Sequence, residues 1–253
     1  MRNFNDLADR GAALVTGASR GLGYELAMQL AKRGFDIVLS GRDEKALFEL
    51  AEKLPVKTYI YIADLSVEGE AKRLYERIKT DGIVLSVLVN NAGIGASGEA
   101  WSVPEQLDRD MTEINVNSAV TLTKLFLSDA RGRGYGALCN VCSVGAFQPG
   151  PYTASYYASK AYLHNYTLAV RYEAKKYGVH VSSLCPGPLD TDFFKAAGAN
   201  KPKGAMPAKK AAEYAIRKFL KGKKTIVPGF LNRMARIVPA GIKTRFIAKI
   251  KKN

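Results

Sequence analysis

The chain has 253 residues, and its 38 Lys/Arg against 23 Asp/Glu give a net charge of +15. That length suits one large α/β domain with an ample core, so neither disulfides nor metals are needed as staples. Three cysteines and two histidines without metal-ligand spacing read as reduced core thiols and ordinary framework histidines, and no metal is expected.

The excess charge is not spread evenly. From Lys195 to the end there are 17 Lys/Arg and one acidic residue, Glu213, leaving 21 basic and 22 acidic residues in the remainder. The body is neutral and the last fifth carries the excess, which marks a surface segment. No apolar run approaches the ~20 residues of a membrane span, so a soluble, cytoplasmic protein is expected.

Taken in chain order, "AALVT" (12–16) predicts a first buried strand and "GYELAMQLAKRG" (23–34) the helix after it. "FDIVLS" (35–40) reads as the second strand, "EKALFELAEKL" (44–54) as the second helix and "KTYIYI" (57–62) as the third strand. Further strands are predicted at "LSVLVN" (85–90), "GALCNV" (136–141), "VHVSSLC" (179–185) and "KTIVP" (224–228). This alternation predicts an α/β, Rossmann-type, doubly wound parallel sheet of about seven strands with helices on both faces. Residues 1–228 read as one domain, and 229–253 as its basic amphipathic extension.

The first strand runs into "TGASRGLG" (16–23). Gly17, Gly21 and Gly23 allow a sharp turn and close approach to a diphosphate, and the helix beginning there aims N–H groups at the anion. After the second strand an acidic residue would suit NAD, but this chain has Ser40-Gly41-Arg42, with Arg20 in the first turn. Two guanidinium groups suit a 2′-phosphate, so the expected cofactor is NADP(H). Asp43 reads as a helix N-cap.

These residues, with "NNAG" (90–93), "CSV" (142–144), "YYASK" (156–160) and "PGPLDT" (186–191), resemble the short-chain dehydrogenases/reductases in order and separation over roughly residues 10–195. The resemblance chooses among four Tyr-x-x-x-Lys pairs. Tyr75/Lys79, Tyr172/Lys176 and Tyr214/Lys218 sit in charged helical stretches and read as solvated helix faces. Tyr156/Lys160 follows the strand-end Ser143 by thirteen residues, across a Gly/Pro loop.

The resemblance implies roles. Tyr156 exchanges a proton with a carbonyl or alcohol oxygen, Lys160 lowers the phenol's pKa and holds the nicotinamide ribose, and Ser143 hydrogen-bonds the substrate oxygen. Asn115, rather than Asn117, holds a water linking Lys160 to solvent. For the cofactor it implies Ser19 and Leu22 in the first turn, Asp64 at the adenine, and Asn91, Ala92 and Gly93 beside the adenine ribose. Pro186, Gly187 and Thr191 would lie against the nicotinamide. It also implies a homodimer or homotetramer, formed through the long helices that contain Asn115 and Tyr156.

Substrate contacts are expected from Ser143, Phe147, Gln148, Tyr152 and Phe193, with Trp101 and Phe194 as further apolar candidates, suiting a fairly hydrophobic ketone or aldehyde. In the tail, Phe230, Leu231, Met234, Ile237 and Val238, then Ile242, Phe246 and Ile250, recur at helical spacing among Arg233, Arg236, Lys243, Arg245, Lys249, Lys251 and Lys252. Such a stripe reads first as packing over the core. The competing reading is peripheral contact with an anionic membrane and a lipid- or steroid-type ketone as substrate. A non-catalytic NADP(H)-sensing protein is a further alternative. Few tail aromatics argue against nucleic acid.

Overall fold

A computed structural model describes residues 4–251. A short 3₁₀ turn, Phe4–Arg10, leads into strand β1, Ala12–Thr16. The chain continues through α1 (Gly21–Ala31), β2 (Ile37–Gly41), α2 (Glu44–Ala51), β3 (Thr58–Ile62), α3 (Glu70–Thr80) and β4 (Leu85–Asn90). Then come α4 (Glu105–Thr112), α5 (Ala119–Arg133), β5 (Gly136–Val141), α6 (Ala154–Ala174) and β6 (Val179–Leu184). A small parallel pair, β7 (Leu189–Asp190) and β8 (Met206–Pro207), flanks α7 (Phe193–Ala196). Helix α8 (Ala208–Phe219), β9 (Thr225–Ile226), α9 (Phe230–Ala235) and α10 (Ala240–Lys251) complete the chain.

The main sheet has seven parallel strands in the order β3-β2-β1-β4-β5-β6-β9. Chain direction across the sheet reverses between β1 and β4, and their carboxyl ends open a crevice there. β1, β2, β4 and β5 are buried at every position, as a sheet covered on both faces requires. One face packs Leu26, Leu30, Phe35 and Phe219 against Ile37, Val87 and Val89; the other packs Leu74, Ile78, Leu122 and Phe126 against Leu14, Leu88 and Leu138.

Several boundaries differ by a few residues from those read in the sequence. Phe35 and Asp36 precede β2, because Phe35 closes the α1 turn with its amide on the Leu30 carbonyl and buries its ring in the core. The last strand keeps only Thr225 and Ile226, paired with Ser183 and Leu184. Asn115 sits in a π-helical turn, Glu113–Ser118, between α4 and α5.

A buried polar ladder ties helices to the sheet beneath the crevice. Asn90 Nδ2 donates to Asn140 Oδ1 at 2.8 Å and to the Ala119 carbonyl at 3.0 Å, and Asn140 Nδ2 donates to Thr167 Oγ1 at 2.9 Å. It pins β4 and β5 to α5 and α6 just below the strand ends.

The tail departs from the packing expected of it. Phe230, Leu231, Met234, Ile237, Val238 and Ile242 are all exposed. The side chains of Phe246 and Ile250, and residue Lys252, lie outside the described residues. Among the described residues, no helix is long and apolar enough to cross a membrane.

Candidate active site

The first turn is built by backbone geometry. Gly17 and Gly21 adopt φ +61° and +59°, a left-handed region that side chains disfavour. A Cβ on Gly23 would lie 2.2 Å from the Gly17 carbonyl oxygen, so only glycine lets α1 begin this close to β1. No side chain caps the start of α1, which leaves its first N–H groups directed at the crevice. The neighbouring strand end is lashed on by Thr16, whose Oγ1 accepts from the amides of Asn91 and Ala92 at 3.0 Å each. Asn91 Nδ2 returns bonds to the carbonyls of Thr16 and Gly17, at 2.9 and 3.1 Å.

At the end of β2, Asp43 caps α2 by accepting from the Ala46 amide at 3.1 Å. Arg42 Nη1 lies 3.5 Å from Asp64 Oδ2, and both side chains are half-exposed. Partial burial works against ionisation of Asp64, yet two hydrogen bonds from Ser66 and the Arg42 guanidinium hold its carboxyl below the usual carboxylate range. Ser40 Oγ is buried and has no hydrogen-bond partner among the described residues.

At the end of β5, Ser143 Oγ accepts from the Gly145 amide at 3.0 Å. Tyr156 lies in the first turn of α6. Lys160, one turn on, is buried; its Nζ donates to the Val141 carbonyl at 3.0 Å and sits 5.9 Å from the Tyr156 ring centre. Burial pushes the Tyr156 phenol above its ordinary pKa, with the Ser143 hydroxyl opposing, while burial pushes the Lys160 ammonium down. Within the chain itself, desolvation is the larger of the two influences on the phenol.

Asn115 is fully buried. Its Oδ1 accepts from the Ile94 amide at 3.0 Å, and its Nδ2 donates to the Ile94 carbonyl at 2.9 Å and to Ser159 Oγ at 3.0 Å. These bonds tie the π-helical turn to the Ile94 backbone and to α6. Asn117, the rival, is exposed and bonds Glu113.

These parts border one continuous cleft of about 1570 Å³. That exceeds the ~300–1,000 Å³ of a usual small-molecule site, leaving room for a dinucleotide and a second ligand. Gly17, Ser19, Arg20, Gly21, Leu22 and Gly23 line one end, with Ser40, Arg42 and Asp64 beside them. Asn91, Ala92 and Gly93 form the middle, and Ser143, Tyr156, Lys160, Pro186, Gly187, Thr191 and Phe193 the other end. Thr191 Oγ1 accepts from the Phe193 amide at 3.4 Å, and its methyl would lie 3.3 Å from a Cβ on Gly21, so the rims approach there. Phe193 stands 5.4 Å from the Tyr156 ring and Phe194 6.1 Å from Phe193.

Several expected contacts lie elsewhere. Phe147 does not line the cleft: it packs edge-on to His164 at 5.1 Å and lies under the Arg236 guanidinium at 4.7 Å. Gln148 and Tyr152 also fall outside the cleft wall, and Tyr152 takes φ +60° where the loop turns toward α6. Trp101 is 83 % exposed. Tyr75, read as part of a solvated face, is buried, and its hydroxyl donates to Asp129 Oδ2 at 3.1 Å as a strut between α3 and α5.

Sequence reasoning missed Leu107 and Ile114 on the apolar wall, and Ser159 as the partner of Asn115. It also missed that Cys142, His164 and Cys185 converge, their ligand atoms all within 4.8 Å of one another, around the Ser183 hydroxyl. Only the pairing of Val141 with Leu184 brings the two cysteines side by side, so no local spacing announced it.

The family model for short chain dehydrogenases matches residues 11–202. The chain belongs to that family. This short-chain dehydrogenase is 32% identical over 193 residues, 74% of its length, to the probable oxidoreductase EphD of Mycobacterium tuberculosis, of which it spans 32%. It is 31% identical over 220 residues to an uncharacterized oxidoreductase of Staphylococcus saprophyticus, a match covering 84% of this chain and 93% of that one. Among solved structures, a short-chain dehydrogenase from Sphingobium yanoikuyae in complex with NADPH shares the fold, with TM-score 0.82 at 24% identity over 94% of this chain and 95% of that one. The chain thus spans about a third of EphD but nearly the whole of the staphylococcal oxidoreductase.

Proposed function

We propose that the protein is an NADP(H)-dependent oxidoreductase interconverting a carbonyl and an alcohol. The observation that carries this is one cleft bordered at one end by the glycine turn with Arg20 and Arg42, and at the other by Ser143, Tyr156 and Lys160. The cradle fits a dinucleotide: α1 offers uncapped N–H groups, Gly17 and Gly21 bring the backbone close, and the unpartnered Ser40 hydroxyl and two guanidinium groups suit a 2′-phosphate. In this reading Leu22 and Ser19 complete the turn, Asp64 and Asn91 to Gly93 flank the adenosine, and Pro186, Gly187 and Thr191 hold the nicotinamide end.

When bound, the nicotinamide supplies or accepts the hydride. Ser143 donates a hydrogen bond to the substrate oxygen and stabilises the charge that develops there. Tyr156 gives that oxygen its proton during reduction and removes it during oxidation. Lys160, anchored on the Val141 carbonyl, orients the ribose and keeps a positive charge near the phenol. Asn115 holds the Ile94 backbone and Ser159, which keeps Lys160 and Tyr156 in place on α6. Phe193 and Phe194, beside the Tyr156 ring, make the substrate end apolar, which suits a hydrophobic ketone or aldehyde.

Residues 1–228 serve in this reading as the catalytic domain, with 229–253 as its extension. The exposed Tyr162 and Tyr172 of α6 favour a homodimer or homotetramer through that helix, which light scattering would measure. NADPH consumption with a panel of apolar ketones tests the activity. Retained NADPH binding without turnover of any member would favour a non-catalytic binding protein and overturn the proposal.

A further inference from the structure

Six of the fourteen exposed large hydrophobic residues among those described fall between positions 230 and 242. Leu231 is 81 % exposed, Ile237 76 %, Phe230 66 % and Ile242 62 %. Exposed apolar residues scattered singly need no explanation, but a run this dense marks a surface made to be covered. Its surroundings indicate by what. Residues 229–253 carry seven Lys/Arg and no acidic residue, and the chain from Lys195 onward has a single carboxylate.

The segment is also fixed to the reactive end of the cleft. Lys243 Nζ donates to the Phe147 carbonyl at 3.3 Å, and Arg236 covers the Phe147 ring. Asn232 presses so closely on Gly187 that a Cβ there would lie 2.3 Å from its Nδ2, and Asn232 Nδ2 donates to the Pro228 carbonyl at 2.8 Å. Phe147 lies on the turn after Ser143, and Gly187 itself lines the cleft. A surface that engages α9 and α10 therefore lies next to the substrate end.

We propose that α9 and α10 dock this protein on an anionic phospholipid bilayer, with the apolar residues inserted at the headgroup boundary and the Lys/Arg residues on the lipid charges. A second copy of the chain is disfavoured as the occupant because it would bring an equally basic segment against this one. A bilayer answers both features at once, since apolar side chains enter the interface while juxtaposed basic residues meet anionic headgroups. The substrate is then a carbonyl compound dissolved in the membrane, drawn into the apolar end of the cleft. This last step rests on the oxidoreductase reading; the docking does not.

The test is co-sedimentation of the full chain with vesicles of phosphatidylcholine alone and of phosphatidylcholine mixed with phosphatidylglycerol. The expected result is partition onto the mixed vesicles only, weakened by added salt. Arg245→Gln with Lys249→Gln should lower that partition about 25-fold, at roughly fivefold per basic residue near an anionic surface. Leu231→Ser with Ile237→Ser should lower it further at high salt, where the apolar contribution remains. All four positions lie outside the cleft, so turnover of a small water-soluble ketone should be unchanged in both variants. Loss of that turnover in the parent protein would strike the oxidoreductase reading and leave the docking standing. Equal sedimentation with and without phosphatidylglycerol overturns the docking. So does salt-sensitive retention of duplex DNA without vesicle binding, or a dimer that Leu231→Ser with Ile237→Ser dissociates.

Discussion

At Tyr156 burial and the hydrogen bond with the Ser143 hydroxyl pull in opposite directions. Burial raises the phenol's pKa, so in the chain alone the group stays protonated through neutral pH and stands ready as a donor. Reduction requires the protonated phenol; its rate should be level through neutrality and fall only as pH rises through the raised pKa. Oxidation requires the phenolate, and its rate should climb over the same alkaline range. Steady-state rates in both directions across pH would check this, and parallel profiles would contradict it. At the other end of the cleft, Arg42 is held by Asp64 at 3.5 Å on an exposed rim, from which it can turn to a phosphate. A charge-assisted bond worth about 1.5–3 kcal/mol implies that Arg42→Ala raises the KM for NADPH by roughly tenfold to a hundredfold, with NADH little affected. Equal losses for the two cofactors would remove the 2′-phosphate assignment. The chemistry-bearing residues were readable in the sequence because each sits at a strand end or one helical turn from another. The placement of Phe147 was not legible, because its cover, Arg236, comes from the end of α9 far along the chain, a contact that no local pattern encodes.

Two elements carry the geometry. The β1–α1 turn leaves no space for a side chain at Gly23, where a Cβ would meet the Gly17 carbonyl carbon at 2.9 Å as well as its oxygen. Both neighbours are backbone and cannot rotate away. Gly23→Ala should therefore cost about 1–3 kcal/mol of stability and weaken NADPH binding, measured by denaturation and by fluorescence titration. The polar ladder through Asn90, Asn140 and Thr167 fixes α5 and α6 beneath the strand ends. Asn140→Leu would remove the bonds that join Asn90 to Thr167 across β5, a loss of about 1–3 kcal/mol, or several degrees in Tm for a chain of this size. Strand positions were legible because continuous apolar runs bounded by turn residues have few other uses. The π-helical turn at Asn115 was not legible, since it arises where α4 and α5 must join while the Asn115 side chain reaches back to Ile94. The tail's periodicity was legible too, but periodicity alone does not say whether an apolar face meets the core or faces outward, and here the described apolar side chains from Phe230 to Ile242 are exposed.

Across the whole molecule, the strand order β3-β2-β1-β4-β5-β6-β9 places a phosphate cradle and a proton-transfer pair on one crevice, though 139 positions separate Gly17 from Tyr156. The parallel topology was foreseeable from strand–helix alternation, and the switch point followed from it. Charge is partitioned at the same scale, with a neutral body and a basic, apolar end beside the reactive half of the cleft. The central claim is that these two halves of one crevice act together, and Tyr156→Phe separates them. NADPH affinity and ketone-dependent NADPH oxidation should be measured side by side in the parent and variant proteins. The account predicts unchanged affinity with turnover reduced by about 10²–10⁴-fold, the usual contribution of a positioned proton donor; undiminished turnover in the variant would contradict it.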